Sequence, residues 1–83
     1  MIRKRSISLQ GHPTSVSLED AYWAELKRMA TDSGVSLAAL LEGIDRRRES
    51  LNLSSALRLA VLDDLNAQLA NWHRGDQDPS PPR

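Results

Sequence analysis

The side chains of this 83-residue chain that are best suited to chemistry carry basic and hydroxyl groups. Positive charge is concentrated in two runs of three residues, at positions 3–5 and 46–48. Four serines alternate with other residues in two short segments: Ser6, Ser8, Ser15 and Ser17. Basic groups pair with anions, and hydroxyls both donate and accept hydrogen bonds. These residue types indicate recognition of a polar, anionic partner.

Catalytic and metal-binding patterns are not found in the sequence. Ser54 and Ser55 have no histidine or acid at the spacing of an activated nucleophile, so we interpret them as residues that start a helix. The chain has no cysteine, and its two histidines, His12 and His73, are too few for a closed zinc site. We therefore expect neither an enzyme nor a cofactor.

Composition bounds the size, assembly and location of the protein. Eleven basic residues balance eleven acidic ones, so any basic footprint must be local. A chain of this length forms one domain that buries only about 60% of its unfolded surface, and no disulfide can support it, so we expect oligomerisation. Without a signal-peptide pattern or a window of roughly 18 apolar residues, we predict a cytoplasmic protein that does not contact membranes.

Two short segments near the N-terminus show the period-two alternation of half-buried strands, at residues 5–9 and 14–18. The turn-forming residues 10–13 lie between them, so the segments either pair as a hairpin or are used separately. In the second segment Val16 and Leu18 must face the core. Ser15 and Ser17 then point outward.

Helical periodicity begins after the second strand. Ser17 and Asp20 have the spacing of a capping pair, which predicts a first helix starting after Ser17 and ending at Gly34. Its apolar stripe comprises Leu18, Tyr22, Leu26, Met29 and Ala30. Ser36 is a good N-cap for a second helix, whose stripe comprises Leu37, Leu40, Leu41 and Ile44, and the second basic run falls in its last turn, where it complements the helix dipole.

A third helix is predicted after Asn52. Its first turns are apolar on nearly every side, and the apolar surface is restricted to one face at Leu65, Leu69 and Trp72. Such a helix must pack against more than one neighbour. The segment from residue 75 is polar and proline-rich. We expect one domain over residues 1–74 and a disordered tail over residues 75–83.

Residues 14–45, TSVSLEDAYWAELKRMATDSGVSLAALLEGID, resemble the ribbon-helix-helix superfamily of bacterial and phage DNA-binding proteins. The segments KRSISLQGHPTSVSLEDAYWAEL and NLSSALRLAVL are similar to a narrower, bacterial subgroup of it. The resemblance implies a mainly α fold in which short N-terminal β-segments pair across a homodimer, with a third helix added at the C-terminus. The resemblance also allows such dimers to assemble into higher oligomers.

The same resemblance implies a role for particular residues. The ribbon of these proteins enters the major groove of double-stranded DNA, and amides at the start of the second helix hold a phosphate. The candidate DNA-binding residues are Arg3, Lys4, Arg5, Ser6, Ser8, Ser15, Ser17 and Ser36. Pro13 replaces the subgroup's usual arginine, so the second strand has no long base-reading side chain. The ribbon is formed either by this strand or by residues 4–8, which offer Lys4, Ser6 and Ser8 on one face.

Two functions fit these observations. The first is a homodimeric DNA-binding protein that regulates transcription. The alternative is an antitoxin-like interaction module that binds a protein partner through the third helix.

Overall fold

The computed structural model describes the backbone of residues 1–76 and the side chains of residues 1–72. Two strands precede three helices: β1 (Ile2–Leu9), β2 (His12–Glu19), α1 (Asp20–Ser33), α2 (Leu37–Arg47) and α3 (Leu53–Asp76). This order confirms the predicted fold class, a ribbon followed by two helices and an additional C-terminal helix.

The two strands form an antiparallel hairpin, which decides between the two uses that the sequence left open. Gln10 and Gly11 both have positive φ, at 52° and 81°, as a two-residue hairpin turn requires. The predicted four-residue turn is therefore wrong. His12 and Pro13 belong to β2, and Pro13 lies opposite Ser8 near the start of an edge strand, a position where proline is tolerated.

Alternate residues of the hairpin face the helices. Leu9, Val16 and Leu18 are buried, and Ile7 is packed against the same core. The predicted inward orientation of Val16 and Leu18 is confirmed. The helices therefore cover one face of the ribbon and leave the other face open.

The start of α1 differs from the prediction. The helix begins at Asp20, with Glu19 as an N-cap that makes no side-chain capping bond. Ser17 remains in extended backbone opposite Lys4, so it caps nothing. The predicted end is confirmed, because Gly34 adopts the left-handed conformation with φ 71° and its amide bonds to the Thr31 carbonyl at 3.1 Å.

The start and the end of α2 follow the sequence. The Ser36 hydroxyl accepts a hydrogen bond from the Ala39 amide at 3.0 Å, as an N-cap should. Leu41 and Ile44 are buried beneath the ribbon. The basic run lies at the C-terminal end of the helix, where Arg48 pairs with Asp45 at 2.7 Å.

The third helix has a buried half and an exposed half. Asn52 caps it through a 2.8 Å bond from the Ser55 amide, and Leu57 and Val61 are among the most deeply buried side chains. Arg28 of α1 bonds to Asp64 at 2.7 Å, and this contact raises the pKa of the guanidinium. The helix runs to Asp76, and the rest of the predicted tail, residues 77–83, lies outside the described residues.

Candidate nucleic-acid interface

The exposed face of the ribbon gathers five of the eight residues that the sequence singled out. In the hairpin register Lys4 lies opposite Ser17, and Ser6 lies opposite Ser15. Ser8 continues the row next to the turn, and all five residues are exposed. We call Lys4, Ser6, Ser8, Ser15 and Ser17 the outer face.

The side chains of the outer face are available to a ligand. In the part of the chain that the structure describes, none of the five side chains forms a hydrogen bond or an ion pair. Residues two apart on a strand are separated by about 6.6 Å, and paired strands by about 4.8 Å. A two-stranded ribbon of this width fits the major groove of B-DNA, which is about 12 Å wide.

Arg3 and Arg5 lie on the opposite face of β1 from Lys4. Both arginines pair with Asp20, at 3.3 and 3.1 Å, and the guanidinium of Arg5 lies 4.7 Å from the centre of the Trp23 ring. The Arg5 side chain is 30% exposed, whereas that of Arg3 is 63% exposed. The structure thus separates the three residues of the first basic run, and a contact of the two arginines with phosphates stays a prediction.

Ser36 is not part of the ribbon. It lies at the exposed start of α2, where its hydroxyl accepts a hydrogen bond from the Ala39 amide. The first turn of α2 contains no acidic residue, so the partial positive charge of this helix end is not neutralised locally. The backbone amides here remain suited to a phosphate.

Sequence reasoning missed a contact that ties the end of the ribbon to α3. Arg58 donates a hydrogen bond to the Glu19 carboxylate at 2.9 Å and lies 5.9 Å from the Tyr22 ring centre. The hydrogen bond from Arg58 lowers the pKa of Glu19. Glu19 and Arg58 are 39 positions apart, and no local spacing pattern signals such a pair.

The unpaired edge of β2 lies beside the first turns of α3. An open groove of about 450 Å³ lies there, lined on the strand by Ser15 and Ser17 and on the helix by Ser55 and Arg58. The β2 edge presents backbone N–H and C=O groups that no third strand of the described chain satisfies. This edge can therefore accept another strand.

Among the described residues, no cluster of three or more His, Cys, Asp or Glu side chains is placed to hold a metal ion. A search of the same residues finds no helix with the length and apolar character needed to span a membrane.

Comparison with known families gives one match. The family model of the ribbon-helix-helix domain matches residues 2–65, which is most of the chain and includes both strands, α1, α2 and the buried half of α3. Neither a curated protein nor a solved structure matches the chain.

Proposed function

This chain belongs to the ribbon-helix-helix family, a family of DNA-binding proteins, and on that premise we propose that it binds double-stranded DNA as a homodimer and regulates transcription. The ribbon enters the major groove with its outer face toward the bases. The protein acts in the cytoplasm, by binding rather than by catalysis.

The observation that carries this proposal is the composition of the outer face. Lys4 and four serines form two adjacent rows of side chains that have no hydrogen-bond or ion-pair partner among the described residues. A lysine can bind a phosphate or the O6 and N7 atoms of guanine, and serine hydroxyls can bond to several base edges. Serines discriminate less sharply than a bidentate arginine or asparagine, so we expect modest sequence preference.

The unpaired edge of β2 supports the proposed homodimer. Its unpaired backbone groups are a template for the same strand of a second copy, related by a two-fold axis. Pairing along this edge places the two copies of β2 at the centre of a four-stranded sheet, where they form the two-stranded ribbon that fits the major groove, and each β1 with its Lys4 lies beside that ribbon. The operator should therefore be a short inverted repeat.

The function can be tested by selecting bound duplexes from a random DNA pool at moderate salt with the intact protein. We expect enrichment of an inverted repeat, and binding to the selected duplex that weakens steeply as salt rises, because phosphate contacts release counterions. No enrichment by a folded sample, or an affinity independent of salt, would contradict the proposal.

A matched pair of lysine variants locates the interface. Lys4 lies on the outer face, whereas Lys27 is an exposed lysine of α1. Lys4→Ala should weaken binding to the selected duplex several-fold, while Lys27→Ala should leave it unchanged. Equal effects of the two substitutions would show that general charge, rather than the ribbon, determines the affinity.

A further inference from the structure

The exposed half of α3 carries a row of leucines that the core does not use. Leu62, Leu65 and Leu69 are 49%, 41% and 52% exposed, although Leu57 and Val61 on the same helix are almost fully buried. Leu69 also lies beyond the segment that the family model matches. We call Leu62, Leu65 and Leu69 the leucine stripe.

The spacing of the leucine stripe is that of a coiled-coil seam. Its residues follow one another at intervals of three and four, as the a and d positions of a heptad do. The flanking positions, which set partner choice in coiled coils, hold the neutral amides Asn66 and Gln68. Two copies of this helix therefore meet without like-charge repulsion along the seam, and no flanking charge selects a different, charged helix.

The leucine stripe is continuous with the edge at which the second copy is proposed to bind. On a helix with about 100° per residue, Arg58 and the stripe lie within about 60° of one another. Arg58 also lines the groove beside the unpaired edge of β2. A copy that pairs with β2 consequently approaches the face of α3 that carries the stripe.

From these observations we propose that α3 docks through its leucine stripe against α3 of a second copy and extends the dimer interface beyond the ribbon and the first two helices. The inference rests on the proposed homodimer. It identifies a self-association surface that begins inside the segment matched by the family model and extends beyond it at Leu69.

Two double variants with the same added charge test this surface. Leu62→Glu with Leu69→Glu places charge in the stripe, whereas Ala67→Glu with Ala70→Glu places it on exposed positions away from the stripe. In sedimentation equilibrium without DNA, the stripe variant should raise the dimer dissociation constant at least about a hundredfold, because carboxylates replace leucines that the proposed contact buries. The alanine variant should match the unmodified protein.

Cysteine cross-linking covers the case in which the stripe variant does not fold. The chain has no cysteine, so a bis-maleimide can link copies only at an introduced position. Leu65→Cys should give covalent dimers at low micromolar concentration, and Asn71→Cys, on another side of α3, should not.

The outcomes separate this inference from the function on which it rests. Equal dissociation constants for the two double variants, or equal cross-linking at both cysteines, would overturn the α3 contact and leave the stripe to a different protein, with DNA binding untouched. A monomeric unmodified protein that selects no DNA would overturn the proposed function itself.

Discussion

The two faces of the β-ribbon are made of alternate residues from the same strands, yet their side chains have opposite surroundings. The inner face holds Leu9, Val16 and Leu18 in the core and engages Arg5 with Asp20 and Trp23. The side chains of the outer face make no hydrogen bond or ion pair in the described part of the chain. We infer that one face stabilises the fold and that the other is available for recognition.

The alternation of side chains along β1 divides the first basic run between the two faces of the ribbon. Arg3, Lys4 and Arg5 are adjacent along the chain, but the period of a strand sends Lys4 to the opposite face from the two arginines. Whether a basic residue is available to DNA thus depends on its strand register as much as on its neighbours in sequence.

The largest effect should come from removing the helix that helps to cover the inner face. Truncation after Arg48 deletes Leu57 and Val61 from the core, so the remaining chain should not fold. Truncation after Arg74, at the expected domain boundary, should leave a cooperative unfolding transition. Circular dichroism during heating distinguishes the two, and a folded 48-residue fragment would show that α3 is not part of the core.

Substitutions of two neighbouring residues of β2, Leu18 and Ser17, should lower the free energy of unfolding by different amounts. Leu18 is fully buried, and Leu18→Ala should cost about 2–5 kcal/mol of unfolding free energy. Ser17→Ala, on the outer face, should change it by less than about 0.5 kcal/mol. Urea unfolding at one fixed protein concentration measures both, and comparable losses would mean that the two faces are not distinct.

Adjacent basic residues of β1 should show opposite phenotypes. Arg5→Ala removes the contacts with Trp23 and Asp20 and should cost about 1 kcal/mol of stability. Lys4→Ala should leave stability unchanged but reduce the slope of log affinity against log salt by about 2 per dimer, one phosphate per copy. Loss of DNA binding with Arg5→Ala in a fully stable protein would instead make Arg5 a contact residue.

The smallest effect concerns the end of the ribbon. Hydrogen bonding to Arg58 lowers the pKa of Glu19 in the folded protein. Its contribution to stability is therefore present above the ordinary glutamate pKa and is lost as the pH falls through the lowered value. The free energy of unfolding should fall more steeply in this acidic range for the unmodified protein than for Glu19→Gln, and identical pH profiles would refute the contribution.

Local chemistry made much of the fold predictable. Gly34, Ser36 and Asn52 are interpreted correctly because a C-cap or an N-cap depends on residues only a few positions away. Ser17 was misread because its spacing from Asp20 suits a cap, while pairing of Ser17 with Lys4 keeps the backbone extended.

The candidate site was less accessible to sequence reasoning. The inward-facing Val16 and Leu18 predict the outward orientation of Ser15 and Ser17, but the register that puts Ser15 opposite Ser6 depends on the two-residue turn. The partners of Arg5 and Arg58 lie 15 and 39 positions away. Such contacts are set by tertiary packing, and no local pattern encodes them.

We propose that DNA contacts the outer face of the ribbon, and amide NMR spectra of the labelled protein, recorded while the selected duplex is added, test this contact directly. The largest shifts should occur at Lys4, Ser6, Ser15 and Ser17, with smaller ones at the start of α2 and little change at Leu69. Shifts concentrated on the exposed half of α3, with the ribbon unaffected, would contradict the proposal.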